Sequence, residues 1–93
     1  MPFVAFRMKF VKQGVVVMEK IYTLLNNLRP ELDYRSSQNF IEDGMLDSFD
    51  VVALVTDLEE AYDIKIDGLD IVPDNFVTVQ SIADLIRKNG GEI

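Results

Sequence analysis

Residues 43–60 hold the strongest local signals in the chain and read Asp43-Gly44-Met45-Leu46-Asp47-Ser48-Phe49-Asp50-Val51-Val52-Ala53-Leu54-Val55-Thr56-Asp57-Leu58-Glu59-Glu60. Gly44 tolerates the backbone angles of a sharp turn. Asp47 and Ser48 are both good helix-capping residues, and an apolar run of helical period follows them at once. We therefore expect a helix whose N-terminus lies at Ser48.

The expected position of Ser48 has a chemical consequence. The N-terminus of a helix carries unpaired N–H groups and the positive end of the macrodipole, which favour a phosphate, whether bound or covalently attached. Serine at a helix start is also common, and an Asp-Ser pair alone is weak evidence for a site. Spacing by itself leaves two interpretations open: Ser48 only begins the helix, or Ser48 is a site for a phosphate group.

Missing residue types exclude several kinds of site. The 93 residues include no cysteine and no histidine. Disulfides, thiolate catalysis, Ser-His-Asp chemistry and the usual zinc sites are therefore excluded. The acidic side chains of residues 42–50 lack the alternate spacing of a calcium-binding loop, so we predict no metal site. The chain length and a hydrophobic content of 48% favour one small globular domain.

Charge is divided unevenly along the chain. Residues 1–17 hold three basic side chains and no acidic one, whereas residues 18–93 hold six basic and all 16 acidic side chains, a net charge of −10. Neutralising the phosphates of a nucleic acid needs a basic surface. We therefore predict that the main domain binds basic proteins and does not bind nucleic acid.

The first 17 residues follow a different pattern from the rest. Arg7, Lys9 and Lys12 interrupt the apolar runs, so the segment lacks the continuous apolar core of a signal peptide and is far short of a membrane span. We interpret residues 1–17 as an N-terminal extension that is disordered or loosely docked, and we assign the domain to residues 18–93. A basic anchor for a membrane surface is the alternative interpretation of this segment.

Helical periodicity predicts three main helices. Apolar residues at helical spacing indicate a first helix from Met18 to Leu28, which Pro30 ends. The second helix is expected from Ser48 to Tyr62. A last helix is expected after the N-cap residue Thr78, and Gly90-Gly91 end it.

The connections between these helices differ in kind. The apolar residues between Glu31 and Leu46 follow neither helical nor strand periodicity, which predicts a long loop. A loop this long needs its own packing or a function to explain it. The residues Asp74-Asn75-Phe76 after Pro73 predict a short irregular helical turn. The predicted fold class is therefore all-α, a small antiparallel bundle of three main helices and one short helix with a long first loop.

The second helix has two faces when its residues are placed at about 100° intervals. The core face is apolar and consists of Val51, Leu54, Val55, Leu58 and Tyr62. The predicted partner-binding surface is an acidic rim around a small apolar centre, formed by Phe49, Asp50, Ala53, Thr56, Asp57 and Glu60. Two interpretations of the apolar Phe49 stay open: it folds back against the first loop, or it contacts a partner or the base of a prosthetic group.

The motif Asp47-Ser48 resembles that of the carrier proteins that bear a 4'-phosphopantetheine arm, when it is taken with its lead-in from Glu42 to Leu46 and the helix end from Leu58 to Tyr62. Leucine usually follows the serine in that family, and this chain has Phe49 there. Phe49 at this position and the lead-in from Glu42 to Leu46 together look more like the D-alanyl carriers of cell-wall modification than like fatty-acid carriers. The phrase from Asp70 to Ala83 is similar to peptidyl and aminoacyl carriers, and the resemblance as a whole covers about residues 18–88.

This resemblance implies a protein that catalyses nothing itself and is a substrate of other enzymes. Ser48 would receive 4'-phosphopantetheine from coenzyme A through a phosphopantetheinyl transferase, with Asp47 helping to position the reaction. The thiol of the arm would then hold an acyl or aminoacyl group as a thioester. The implied partners are that transferase, an acyl- or aminoacyl-activating ligase, and an acyltransferase or ketosynthase. The resemblance also implies a cytoplasmic monomer without stable membrane insertion and a first loop that packs over the bundle.

Two other classes of function stand as alternatives. The first is an unmodified protein-interaction module with the carrier fold, against which the intact Asp47-Ser48 pair argues. The second is a carboxylate-based hydrolase, which is disfavoured because an exposed acidic helix does not provide the raised pKa that one acid of a catalytic pair needs. No residue pattern indicates the cargo.

Overall fold

The predicted helices are present in the computed structural model, which describes residues 13–93 and, for residues 13–16, the backbone alone. The three main helices are α1 (Gln13–Leu28), α2 (Ser48–Tyr62) and α3 (Val79–Lys88). Short 3₁₀ turns lie at Tyr34–Ser36, Gly68–Asp70 and Pro73–Phe76. The prediction of an all-α bundle is confirmed, and residues 13–93 contain no strand. The short helical turn predicted after Pro73 is present as the 3₁₀ turn Pro73–Phe76, and the further turn Gly68–Asp70 comes before it.

The bounds of α2 and α3 agree with the sequence prediction because local capping sets them. At the start of α3, the Thr78 hydroxyl accepts from the Ser81 N–H at 3.0 Å, and the Ser81 hydroxyl accepts from the Thr78 N–H at 3.1 Å. This reciprocal pair satisfies two of the N–H groups that a helix start leaves free. Beyond the end of α3, Gly90 has a φ of +94°, which a residue with a side chain rarely adopts.

The first helix begins earlier than the sequence predicted. It starts at Gln13 rather than Met18, and Val17 packs against the core as a half-buried residue. The helix therefore includes residues 13–17, which the sequence assigned to the extension. The predicted extension otherwise falls on residues 1–12, which lie outside the described residues.

The bundle is antiparallel at its first two helices, as two contacts between them demonstrate. The Lys20 ammonium in the middle of α1 donates to the Ala61 carbonyl near the end of α2, at 3.3 Å. Arg29, just beyond the end of α1, binds Asp50 in the first turn of α2. The two helices therefore run in opposite directions.

The core forms where one face of each helix meets the others. Each main helix contributes a pair of fully buried residues four positions apart, so that both lie on one face. These pairs are Ile21 and Leu25, Leu54 and Leu58, and Ile82 and Ile86. Burying one such side chain stabilises the fold by about 1.5–3 kcal/mol, so each pair makes a substantial contribution to the hydrophobic stabilisation.

The first loop closes over the bundle through its own aromatic residues. The rings of Tyr34 and Phe40 pack edge to face with their centroids 5.3 Å apart, and both residues are buried. The Phe40 carbonyl accepts from the N–H groups of Met45 and Leu46, at 2.8 and 3.2 Å. Gly44, with a φ of +72°, forms the tight turn that brings Met45 and Leu46 back to Phe40. The loop thus has a packed structure of its own, and it delivers the chain directly to α2.

The connection between α2 and α3 is held at both ends. The Glu59 carboxylate accepts from the Ile66 N–H at 2.9 Å, and the Asn89 side-chain carbonyl accepts from the Asp67 N–H at 3.0 Å. Lys88 pairs with Asp70 at 2.8 Å. These contacts anchor Gly68–Asp70, the first of the two 3₁₀ turns that come before α3. Among residues 13–93, no helix is both long and apolar enough to cross a membrane.

Candidate functional site

Ser48 is the first residue of α2, and its side chain is exposed. The capping residue is Asp47, whose carboxylate accepts from the Asp50 N–H at 2.9 Å, while the Asp50 carboxylate accepts from the Asp47 N–H at 3.1 Å. This is a reciprocal capping box built from two aspartates. The sequence left the cap open between Asp47 and Ser48, and the structure assigns it to Asp47. The Ser48 side chain is therefore not needed as a cap.

Asp50 is buried at the edge of the bundle and does not belong to the exposed rim that the sequence predicted. It is 8% exposed. Its third position in the helix turns its carboxylate back toward Asp47, where the guanidinium of Arg29 covers it. The placement of Asp50 on the exposed partner-binding surface was therefore wrong, because an idealised helix without a cap does not show this backward turn.

Arg29 joins both acids of the capping box. Its Nη2 atom lies 3.0 Å from Asp50 Oδ2 and 3.6 Å from Asp47 Oδ2, and its Nε donates to Asp50 Oδ1 at 3.3 Å. A planar guanidinium suits this two-pronged contact with a carboxylate. The sequence offered no signal for this contact, because residues 29 and 50 are far apart in the chain.

These contacts shift the pKa values of the groups involved. The pKa of the Asp47 carboxyl is lowered, first by the hydrogen bond from the Asp50 backbone N–H and also by the Asp50 side chain and the charge of Arg29. The pKa of Arg29 is raised, first by its hydrogen bond to Asp50 and then by the charge of that carboxylate. Both shifts favour the charged forms, so Asp47 and Arg29 stay ionised at neutral pH.

An apolar groove lies beside Ser48. It has a volume of about 370 Å³ and forms between the end of the first loop, the first turns of α2 and the segment before α3. Asp47 and Ser48 contribute polar atoms to its wall. Its apolar walls come from Ile41, Leu46, Val51, Val52, Ile71 and Pro73. Sequence reasoning missed the groove, and its one available signal was the scatter of apolar residues in both loops that no helical period explained.

The outward side of α2 begins with two large apolar residues. Phe49 is 86% exposed, so the interpretation that it folds back against the first loop is wrong. Val52 is 63% exposed, and the sequence had assigned it to neither face. Of the remaining predicted surface residues, Ala53, Thr56 and Glu60 are exposed and Asp57 is half-buried.

Metal ligation has no support in the described part of the chain. Among residues 13–93, no three side chains of the metal-binding types come together as a group that could hold an ion. The acidic residues around Ser48 instead bind backbone N–H groups and Arg29.

The chain is similar to known proteins over most of its length. Residues 20–86 match the protein family described as "Phosphopantetheine attachment site". An acyl carrier protein of Phytoplasma australiense is 38% identical over 77 residues, which cover 80% of this chain and 97% of that protein. No solved structure matches the chain significantly. The motif at Asp47-Ser48, the helical bundle and these matches agree, and the chain belongs to the acyl carrier protein family, whose prosthetic group is 4'-phosphopantetheine.

Proposed function

We propose that Ser48 is the attachment point of 4'-phosphopantetheine and that this carrier holds an acyl or aminoacyl group as a thioester for partner enzymes. The observation that carries the proposal is the exposed Ser48 side chain at the first position of α2, beside an open apolar groove. A serine that receives the prosthetic group must be accessible to a transferase. A hydroxyl that makes no hydrogen bond within the fold can be modified without loss of a structural contact.

The electrostatics of the helix start suit the product of this modification. A phosphodiester on Ser48 brings a negative charge to the N-terminus of a helix of 15 residues. The macrodipole stabilises a negative charge there by about 0.3–1 kcal/mol when the position is exposed. Arg29 already compensates the neighbouring carboxylates of Asp47 and Asp50, which reduces their repulsion of the phosphate.

In the attachment reaction, the Ser48 hydroxyl oxygen forms a bond to the phosphorus of the phosphopantetheine portion of coenzyme A. The bond from that phosphorus to the adenosine bisphosphate portion breaks, and the serine proton leaves to a base of the transferase. The attached group supplies a thiol that binds cargo as a thioester. This chain contributes the nucleophile and its position, and the transferase contributes the catalysis.

The groove beside Ser48 is the part of the surface that suits the arm and its cargo. Its volume of about 370 Å³ falls within the range of about 300–1,000 Å³ that is typical of small-molecule sites. Its apolar walls favour methylene groups over charged ones. Contact with the groove would reduce the time that a thioester spends in water.

The outward side of α2 is the proposed docking surface for partner enzymes. Its apolar centre consists of Phe49, Val52 and Ala53, with Thr56 beside them and the acids Asp57 and Glu60 further along the helix. Partners of matching chemistry carry a basic rim around an apolar pocket. The transferase is one such partner, and an activating ligase, an acyltransferase or a ketosynthase are the others that we propose.

The test is loading of the purified protein by a broad-specificity phosphopantetheinyl transferase with coenzyme A, followed by intact mass spectrometry. Wild type should gain one phosphopantetheine group, and Ser48→Ala should gain none. Ser36→Ala is the matched control, because Ser36 is also an exposed serine at a helical turn, and it should load like wild type. Loading of the Ser48→Ala variant would place the attachment elsewhere. A wild-type protein that never loads would favour the unmodified interaction module.

A further inference from the structure

We infer that Arg29 is a positioning residue for the modification of Ser48: its guanidinium holds the two aspartates on either side of the serine and thereby holds the serine hydroxyl in reacting position. This inference rests on the proposed attachment at Ser48. It concerns how that serine is held, which neither the motif nor the family match specifies.

The backbone places Arg29 at a defined point. The Arg29 N–H donates to the Leu25 carbonyl at 3.0 Å, which continues the hydrogen bonds of α1 for one more residue. Pro30 follows, and its ring prevents the helix from continuing. Leu25 is fully buried, so the end of α1 is anchored in the core. The Arg29 side chain therefore projects from a rigid base toward α2.

The Arg29 guanidinium contacts one residue that precedes Ser48 in the chain and one that follows it. Arg29 Nε and Nη2 bind the two carboxylate oxygens of Asp50 at 3.3 and 3.0 Å, and Nη2 also lies 3.6 Å from Asp47. Asp47 comes directly before Ser48, and Asp50 comes two residues after it. Both aspartates also bind each other's backbone N–H groups. One cation thus ties the first turn of α2 to the end of α1.

In the part of the chain that the structure describes, the Ser48 side chain has no restraint of its own. Within residues 13–93, its hydroxyl takes part in no hydrogen bond, and its side chain is exposed. The first turn of a helix is also where intrahelical hydrogen bonds are incomplete and fraying begins. The position of the Ser48 oxygen therefore depends on the backbone of residues 47–50. A displacement of about 1 Å in a reacting group can cost about 100-fold in rate.

Geometry and charge make separate predictions at position 29. Lysine keeps the positive charge but offers a single ammonium, which cannot bind both carboxylate oxygens in the fixed plane of a guanidinium. Methionine keeps much of the length and apolar stem but removes the charge. If Arg29 acts by position, Arg29→Lys should recover only part of the loading rate that Arg29→Met loses.

The experiment is single-turnover loading of the full chain, with a transferase and coenzyme A in excess and the transferase concentration varied. We expect Arg29→Met to lower the saturating rate constant about tenfold, within the roughly 100-fold range of misplacement effects. The transferase concentration for half-saturation should change by less than about twofold, because the outward side of α2 is unchanged. Partial unfolding would instead raise the transferase concentration for half-saturation and leave the saturating rate constant unchanged, because only the folded fraction binds, so the two causes are separable.

Arg35→Met is the matched control. Arg35 also pairs with a carboxylate through two nitrogens, but its partner is Glu19 on α1, and its guanidinium lies over the ring of Tyr22. This variant makes the same change in charge and should load at the wild-type rate. An equal loss of rate in Arg29→Met and Arg35→Met would overturn the inference, since net charge would then explain both.

Amide hydrogen exchange supplies a readout that does not require loading. In Arg29→Met, the N–H of Asp50 should exchange faster than in wild type, while the N–H of Ser81 in the capping box of α3 should exchange at the wild-type rate. Unchanged exchange at Asp50 would overturn the inference. If the wild-type protein does not load at all, the proposed function fails, and this exchange measurement alone decides whether Arg29 holds the start of α2.

Discussion

At the scale of single residues, the start of α2 divides two tasks between neighbours. Asp47 caps the helix, and Ser48 presents an exposed hydroxyl that makes no hydrogen bond in the described part of the chain. This division suits a serine that is covalently modified, because the modification leaves the hydrogen bonds of the helix cap intact. The stability and the modification of this turn should therefore respond to different substitutions.

Substitution of the two neighbours should separate these tasks. Ser48→Ala should change the free energy of unfolding by no more than about 0.5 kcal/mol, as is usual for surface substitutions. Asp47→Ala should cost about 0.5–2 kcal/mol, the usual loss for an N-cap. Thr78→Ala, at the cap of α3, is the matched control and should resemble Asp47→Ala. Chemical denaturation measures all three, and an equal loss in Ser48→Ala and Asp47→Ala would contradict the division.

The lowered pKa of Asp47 makes part of the stability depend on pH. A carboxyl whose pKa is lower in the folded state stabilises the fold above its ordinary value of 3.8, and this contribution is lost as the pH falls through the lowered pKa. Asp47→Asn keeps an oxygen that can cap the helix but does not titrate.

The wild-type protein should therefore lose more stability than Asp47→Asn as the pH is lowered from about 5 to about 2. Urea denaturation at a series of pH values measures this difference. Glu19→Gln is a useful comparison, because its carboxyl also has a lowered pKa, caused first by the hydrogen bond from Arg35. It should remove a separate part of the acid dependence. Parallel pH curves for wild type and Asp47→Asn would show that the cap acts without its charge.

At the scale of one element, α2 connects the core to the proposed partners. Its inward side buries Val51, Leu54, Val55 and Leu58, whereas its outward side exposes Phe49 and Val52 at the end near Ser48. Exposed side chains this large are unusual for a helix whose only role is to complete a core. The acids Asp57 and Glu60 lie further along the same helix. A partner would therefore meet an apolar contact beside the serine and acidic residues behind it.

Charge and apolar contact on α2 should act on different rate constants. Reversal of Asp57 and Glu60 to lysine should mainly lower the association rate of the transferase and weaken its dependence on salt, because steering is electrostatic. Phe49→Ala should mainly raise the dissociation rate. Surface plasmon resonance at low ionic strength, where the Debye length is about 30 Å, gives both rate constants.

A double reversal elsewhere controls for net charge in this experiment. Asp84 on α3 and Glu92 near the C-terminus are both exposed acids. Their change to lysine alters the total charge by the same amount as the reversal on α2, and it should lower the association rate less. If the two double variants associate equally slowly, the overall charge attracts the partner, and the docking surface does not lie on this side of α2.

At the scale of the whole molecule, α1 supports the rest of the fold. It packs against both α2 and α3, and Glu19 on its surface binds Arg35 in the first loop. Arg29 then extends this support to the start of α2. Because α1 packs against both other helices and against the 3₁₀ turn of the first loop, its length should affect the stability of the whole domain.

Shortening of α1 should therefore destabilise the protein. A chain of residues 18–93 should be less stable than a chain of residues 13–93 by about 1 kcal/mol or more, because it lacks the first turns of α1 and the half-buried Val17. Val17→Ala in the longer chain should produce part of this loss. Thermal and chemical denaturation provide the measurement. Equal stability of the two chains would mean that the domain begins at Met18, as the sequence suggested.

The sequence alone determined the features that depend on near neighbours. The bounds of α2 and α3, the turn at Gly44 and the location of Ser48 at a helix start all follow from caps, glycines and apolar spacing within a few residues. The Asp47-Ser48 motif, with the residues on either side of it, also indicated the carrier family. These features were predictable because a helix start needs its capping groups in the adjacent turn, whatever the rest of the chain does.

Only the tertiary structure decided the features that join distant segments. The salt bridge from Arg29 to Asp50 spans 21 positions of the chain, and it removed Asp50 from the predicted rim. The groove beside Ser48 needs Ile41, Val52 and Ile71 from three separate segments. The early start of α1 likewise depends on the packing of Val17 against the core. Such contacts arise from the way in which helices pack, and periodicity shows which side of a helix is apolar but not which residue it meets.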